Sequence, residues 1–392
     1  MSTRSRGRIR RHHNQPAVRY RAVVSALRQE ILAGTLVTGQ RLPTQAELQA
    51  RFQTTPVTIH RAIQELARAG LVRTQPRVGV FVADRPPGVD EYPLVFFTTP
   101  DSPAGLFWSR FNAMLVNEAT QLTEQGPRKL IPFYGIQERD QSPDYAPLLE
   151  RVQNQRLAGL IFACHPFHVM GTPILDRPGI PRVALLFNGE LPGVAGVALD
   201  FAGLFRRALD RLAARGRRRV AFLGVGIPRV LLPVNLEAEL AARGLTMHPY
   251  WKLFLSPDAP SSTSSVIQLL WQAPPDARPD ALFISDDNLL QDATDGLLTA
   301  GIRVGDELDV VAHCNFPWLG STVLPIQRIG FDTRQLLQTG LALLDRQRRG
   351  EPVPPVTMLE ALFEHELASQ TLAQGMQTQQ SQLLVRPKGH RP

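Results

Sequence analysis

From Leu94 onward the chain repeats one pattern: a short apolar run of strand length, then a stretch of helical length. "LVFFTT" (94–99) precedes a helical segment at 109–125, and "KLIPFY" (129–134) precedes another near 144–155. "AGLIFAC" (158–164), "PRVALLFN" (181–188) and "GVALD" (196–200) follow. "LFRRALDRLAARGRRRVAFLG" (204–224) reads as helix, glycine stop and strand, with "RGRRR" (215–219) as a solvated helix end. "DALFISDD" (280–287), a helix at 289–300 and "LDVVAHCN" (308–315) continue the alternation. This order predicts parallel sheets flanked by helices. The strand count suits two lobes. Ligands in such sheets sit beyond the carboxyl ends of the strands, and between two lobes those ends face each other across a cleft.

The first 85 residues follow a different rule. They hold 15 Arg and no Lys against 4 Asp or Glu, a net +11, while residues 86–392 carry 28 basic and 31 acidic residues, a net −3. A small basic segment tied to a near-neutral body is the charge footprint of a nucleic-acid-binding module. A membrane-surface segment is the competing reading, but no strongly apolar helix face accompanies these arginines. "MSTRSRGRIRRHHNQ" reads as a flexible basic arm over 1–16, or as a solvated tail with no role. It lacks the apolar stretch of a secretory signal.

Within 17–83, Tyr20, Val23, Val24, Leu27 and Ile31 recur at helical spacing, and Gly34 is a stop. Thr44 with Glu47 forms a capping box for a short helix reaching Phe52. Thr55 caps a third helix with Pro56 at its first position, where a missing N–H is harmless. Ile59, Ala62, Ile63 and Leu66 form its buried stripe, Thr58, His60, Arg61 and Gln64 lie mostly off it, and Val57 suits either side. Gly70 ends the helix. "LVRTQPRVGVFV" then reads as strand, turn, strand. Helix, helix-turn-helix and a two-stranded wing put small polar residues at the start of a helix that a major groove admits, and that helix terminus also favours phosphate.

Residues 42–82, "LPTQAELQARFQTTPVTIHRAIQELARAGLVRTQPRVGVFV", resemble the winged helix of GntR-type bacterial transcription regulators. Leu42, Pro43, Glu47, Leu48, Thr58, Arg61, Ala62, Leu66, Gly70, Leu71, Gly79, Phe81 and Val82 stand where that family has them. The resemblance implies contact with double-stranded DNA through Thr44, Thr55, Thr58, His60, Arg61, Arg77 and Gly79. Thr55 and Thr58 suit phosphate or a thymine methyl. Arg61 suits a phosphate, and His60 suits a base or plain solvation. Ala46 and Pro56 replace arginines common in the family, and Arg77 stands one residue before the usual wing arginine. The family's operator preference is therefore not transferred.

"ADRPPGVDEYP" (83–93) continues neither helix nor sheet and is read as a linker over 84–93. The region after it resembles the effector-binding domain of LacI/GalR regulators, related to periplasmic sugar-binding proteins. The likeness rests on "DALFISDDNLLQDATDGLLTAGIRVGDELDVVAHCN" and "GVALDFAGLFRRALDRLAARGRRRVAFLG". It implies a two-lobed α/β domain over 94–370. With the head, the whole resembles the arabinose-repressor type of regulator: an N-terminal winged helix-turn-helix (α+β), then a periplasmic-binding-protein-like domain with parallel sheets.

From the same likeness come the candidate ligand residues. Phe107 and Trp108 are candidates for stacking on a sugar face or for interior packing. Asp287 is the leading polar candidate, because a carboxylate accepts paired hydroxyl hydrogen bonds. Asp200 is a ligand residue or a helix cap, and Asp286 is read as a cap. Asn188 and Asn315 are strand-end amides, and His165 is a cleft-lining candidate. Arg229 stands near Leu232, where the family has arginine.

Other chemistry is excluded at this stage. Two cysteines make no disulfide framework and suit a reducing compartment. No apolar run approaches ~20 residues, so no membrane span is expected. Cys164, His165 and His168 fall short of the converging ligand set that zinc needs, and no phosphate-binding loop of the GxxxxGK[ST] type occurs. No metal, cofactor or catalytic group is expected, and the polar 371–392 reads as disordered. The expectation is a cytoplasmic, homodimeric repressor binding a near-palindromic DNA operator under control of a small effector, by resemblance a carbohydrate. The rivals are a sugar-binding or transport protein with a basic interaction arm, and an enzyme fused to a DNA-binding head.

Overall fold

The computed structural model describes residues 15–32, 35–37, 39–83, 90–100, 109–154, 156–186, 191–226, 233–317 and 323–369. Gly34, the basic arm before residue 15, most of the linker, Phe107, Trp108, Asn188, Arg229 and the tail from 370 lie outside them.

The head is α1 (Gln15–Leu32), α2 (Gln45–Phe52), α3 (Pro56–Arg68), β1 (Val72–Gln75) and β2 (Gly79–Val82). Thr44 and Glu47 form the reciprocal box: Glu47 N–H donates to Thr44 Oγ1 at 3.3 Å and Thr44 N–H to Glu47 Oε2 at 2.6 Å. Gln53, at φ 47°, makes the tight turn into α3. On α3 the buried residues are Ile59, Ala62 and Leu66, while Ile63 is half-buried and Val57 is exposed. The stripe packs on Val23, Leu27 and Ile31 of α1, Leu48 of α2 and Val82 of the wing. β1 and β2 pair antiparallel from Val72↔Val82 to Gln75↔Gly79.

The body holds two six-stranded sheets. The first contains β3 (Glu91–Val95), β4 (Lys129–Phe133), β5 (Leu160–Phe162), β6 (Arg182–Leu185), β7 (Ala195–Leu199) and β13 (Val356–Leu359), in the order β13-β7-β6-β5-β3-β4, all parallel. The second contains β8 (Val220–Val225), β9 (Lys252–Leu255), β10 (Ala281–Ile284), β11 (Asp309–Phe316), β12 (Gln327–Asp332) and β14 (Leu362–Phe363), in the order β14-β12-β11-β10-β8-β9. Only β14 in that sheet runs antiparallel. β5, β6, β7, β10 and β11 are buried along their whole length, as strands covered on both faces must be. The helices of the body are α4 (Arg110–Gln125), α5 (Tyr145–Gln153), α6 (Pro173–Asp176), α7 (Phe201–Ala214), α8 (Leu236–Ala241), α9 (Pro260–Trp271), α10 (Leu290–Thr299) and α11 (Thr333–Arg348). The chain passes between lobes three times: from β7 into α7, from β12 into α11, and from β13 into β14. Asp200 and Asp332 cap the helices at the first two passages.

Two expectations change. β3 begins at Glu91, inside the segment read as linker, because Tyr92 is buried and pairs with Leu130. Pro93 is tolerated there because it lies before the residues of β3 that pair with β5, Leu94 and Val95. The "RGRRR" segment, exposed at Arg215, Gly216 and Arg218, is more than a solvated helix end. Arg215 Nε and Arg217 Nε donate to the buried Asp309 Oδ2 at 3.0 and 2.6 Å. The N–H groups of Arg218 and Arg219 donate to Asp280 Oδ1 at 3.0 and 2.8 Å. These bonds fasten the turn after α7 to the starts of β10 and β11.

Candidate functional site

On the head, α3 presents its leading turn outward. Thr55, Pro56 and Val57 are exposed, with Val57 at 76%. Thr55 Oγ1 accepts from Thr58 N–H at 3.3 Å, and the two hydroxyls lie 2.9 Å apart. Gln45 Nε2 donates to Pro56 O at 3.2 Å, so α2 holds the start of α3 in place. His60 is exposed and its Nε2 lies 3.0 Å from Gln64 Nε2. Arg61 is exposed and rests its guanidinium 4.5 Å from the Tyr20 ring centroid, which orients it along α1. Thr44, the cap of α2, is exposed. Arg77 stands at the wing tip with φ 63°, and Gly79 follows at φ 146°. A Cβ on Gly79 would lie 2.6 Å from Arg41 Nε, so glycine here serves backbone shape and the close approach of Arg41. Arg41 was not singled out in the sequence. Its bridge to Phe81 makes it part of the wing, and only the pairing reveals that.

In the body, a cavity of about 770 Å³ lies where the carboxyl ends of both sheets meet. The first lobe lines it with Phe96, Phe97, Thr98, Ala163, Cys164 and Leu186, and the second with Val225, Phe254, Ser285, Asp286, Asp287, Asn288, His313 and Asn315. Asp200, Phe201 and Phe205, at the β7–α7 passage, and Phe111 and Asn112 of α4 also line it, with Ser109, Leu199, Ala202, Pro233 and Met358 completing the wall.

Asp287 and Asn315 come together in this wall. Asp287 Oδ2 accepts Asn315 N–H at 3.1 Å and Asn315 Nδ2 at 2.9 Å. Burial pushes the Asp287 carboxyl above its ordinary pKa, opposed by the Asn315 donors. Asp286 caps the following turn, accepting Asn288 N–H at 3.0 Å and Asn288 Nδ2 at 2.6 Å. Its pKa is raised by burial first and by the Asp287 charge besides. Asp200 is both a lining residue and a cap, accepting Gly203 N–H at 2.8 Å. His165 is not among the lining residues: its ring stacks on Phe167.

His313 is the residue that sequence reading passed over. It is 6% exposed, lines the cavity, and neither ring nitrogen has a hydrogen-bond partner among the described residues. Burial lowers its pKa to about 4, with the Asp286 charge acting in the opposite sense. Phe201 and Phe331 meet its ring edge-on, at 5.6 and 6.0 Å. The available signal was a titratable residue interrupting the apolar run of a buried parallel strand near its carboxyl end. Among the described residues no group of three or more His, Cys, Asp or Glu is placed to hold a metal ion, and no helix is long and apolar enough to cross a membrane.

Comparison with known proteins adds to this geometry. Residues 19–82 match the model of bacterial regulatory proteins of the gntR family, and residues 209–362 match that of periplasmic binding protein-like domains. The chain is 39% identical over 69 residues to the histidine utilization repressor of Klebsiella aerogenes, covering 18% of this chain and 29% of that protein. It is 32% identical over 82 residues to the uncharacterized HTH-type transcriptional regulator YhdI of Bacillus subtilis, covering 21% of this chain and 16% of that one. The chain thus spans less than a third of the length of these curated relatives. A LacI family transcriptional regulator from Lactobacillus casei, solved with bound glucose, superposes with a TM-score of 0.52 at 20% identity, over 70% of this chain and 98% of that one. A LacI-family regulatory protein from Chloroflexus aggregans gives 0.53 at 18%, over 70% and 96%. At such identity the likeness is one of fold. The chain therefore joins a gntR-type winged helix to a periplasmic-binding-protein-like body with the fold of LacI-family regulators.

Proposed function

We propose that this chain is a ligand-responsive DNA-binding transcription regulator, acting as a cytoplasmic homodimeric repressor on a near-palindromic operator. One observation carries the reading: α3 buries its Ile59–Ala62–Leu66 stripe and leaves Thr55, Pro56 and Val57 exposed, with Arg77 exposed at the wing tip. A helix presented in this way enters a major groove with its first turns on the base edges. Thr44, Thr55, Thr58 and Arg61 are assigned to phosphate or groove contact, His60 to a base edge, and Arg77 to the neighbouring groove or backbone. Gly79 shapes the wing.

The effector occupies the cleft and is a polyhydroxylated compound of the carbohydrate class, held by Asp287, Asn315 and Asp200 against the phenylalanine walls. The glucose held by the Lactobacillus casei regulator supports that class. Ligand controls DNA binding only if it favours one arrangement of the two lobes over another. No catalytic group is needed for this role.

The test is selection of duplex fragments by the full chain, followed by gel-shift titration at several salt concentrations. A discrete near-palindromic site is expected, with affinity falling steeply as salt rises. Equal affinity for every duplex, or none for any, sinks the reading.

A further inference from the structure

We infer that Val57 is a base-reading residue: its isopropyl group packs on the 5-methyl of a thymine in the major groove, so the operator is selected in part by a thymine facing the leading turn of α3. This deepens the regulator reading and rests on it. It goes further in naming the base and the side chain that selects it.

The first observation is exposure. Val57 is 76% exposed, while Ile59, Ala62 and Leu66 of the same helix are fully buried. It belongs neither to the head core nor to the residues packed against that core. Val57, His60, Arg61 and Gln64 are all exposed, and their i, i+3, i+4, i+7 spacing puts them on one face of α3, away from the buried stripe. Val57 is the apolar member of these four and stands first in the chain, at the helix start that meets base edges. Pro56 beside it is exposed as well.

The second observation concerns hydrogen bonds. The polar side chains around Val57 are already engaged within the head. Thr55 Oγ1 accepts from Thr58 N–H at 3.3 Å and lies 2.9 Å from Thr58 Oγ1. Gln45 Nε2 donates to Pro56 O at 3.2 Å. Pro56 and Val57 have no side-chain donor or acceptor. The leading turn thus offers the groove an apolar surface. Among the four bases, thymine is the one that places a methyl group on its major-groove edge, whereas guanine calls for a forked donor such as arginine. The third observation places this turn at the duplex: Arg61 lies on the same face, and residues 19–82 match the gntR-family model. His60, one turn later, is left to read a hydrogen-bonding edge.

The experiment uses the full chain and the operator recovered by duplex selection. Each thymine of that operator is replaced in turn by uracil, which deletes the 5-methyl and keeps the hydrogen-bonding edge, and affinity is read by fluorescence anisotropy. At one position or more, uracil is expected to weaken wild-type binding about three- to fivefold, the worth of one buried methyl. Val57→Ala is expected to bind the thymine and uracil duplexes alike at that position, with its salt slope unchanged and its melting temperature reporting that the head is folded. Arg77→Ala, the backbone-contact control, is expected to bind both more weakly and to keep their ratio. An operator indifferent to uracil at every position overturns the inference and leaves the regulator reading standing. A Val57→Ala variant that keeps the wild-type ratio at every sensitive position does the same, since another residue then reads the methyl. Failure to recover any operator sinks the regulator reading and the inference together.

Discussion

Asn288 ties the two lobes together: its Oδ1 accepts the backbone N–H of Arg110 at 2.9 Å, while its Nδ2 donates to Asp286 at 2.6 Å. Arg110 opens α4 on the first lobe, and Asp286 follows β10 on the second. One amide therefore reads the separation of the lobes beside the cavity. Asn288→Ala is expected to cost about 1–2 kcal/mol in urea denaturation. It should also widen the lobes measurably in solution scattering. An unchanged scattering profile would show that this bond does not govern their spacing.

His313 makes stability depend on pH. Its folded pKa, about 4, lies below the ordinary 6.5. The unfolded chain therefore binds the proton first, and stability present above the unfolded value is lost as pH falls from about 6.5 through about 4. Asp286, raised by burial, works in the opposite direction, so the difference between wild type and His313→Gln is the quantity to measure. Between pH 7 and pH 5 wild type is expected to lose on the order of 1–2 kcal/mol more than the variant. Parallel stability curves would contradict this.

Asp309 is a fastening point for the turn after α7. Burial alone raises its pKa, but Arg215 and Arg217 more than offset that and hold it below the ordinary value. Its contribution is present above about pH 4 and disappears as pH falls through the folded value. Asp309→Asn is expected to cost about 1–2 kcal/mol at pH 7, discounted because Arg215 is 44% exposed. That deficit should shrink below pH 4. A deficit constant with pH would mean the loss is one of shape rather than charge.

On the head, Arg77→Ala is expected to weaken binding to all duplexes alike and to lower the salt slope by about 1. Thr55→Ala should remove the cap of α3, costing about 1 kcal/mol of head stability, and weaken operator binding in addition. Gly79→Ala meets both a φ of 146° and the Arg41 side chain. It is expected to distort the wing and reduce operator affinity with little change in the far-ultraviolet spectrum. Gel shifts with the three variants distinguish a charge contact from a shape requirement: only Arg77→Ala should change the salt slope.

The sequence reading succeeded where local chemistry decides the outcome. The Thr44–Glu47 box, the Thr55 cap with Pro56, and the apolar stripe of α3 all involve neighbours within one helical turn. The buried parallel strands were legible because both faces must be apolar. What escaped depends on distant partners. Arg217 looked like surface charge until Asp309, 92 residues away in sequence, was placed beside it. β9, α9, β12, α11, β13 and β14 were not read. Val356–Leu359 reveals itself as a strand only through pairing with β7. Of the residues lining the cavity, Asp287, Asn315 and Asp200 were singled out beforehand through the likeness to LacI/GalR effector domains. His313 was missed because what marks it, a buried ring without a hydrogen-bond partner among the described residues, depends on its surroundings in the fold, which no sequence displays.

The threefold passage of the chain between lobes bears on how this protein can be dissected. Neither lobe is a continuous stretch of polypeptide, since β13 returns from the far end of the chain to complete the first sheet beside β7. A fragment stopped before Val356 would leave the flank of β7 bare, inviting it to recruit a strand from another molecule. Excision of either lobe by itself should accordingly yield precipitate, whereas the head, whose core is drawn from residues 23–82 alone, is the natural unit to express separately.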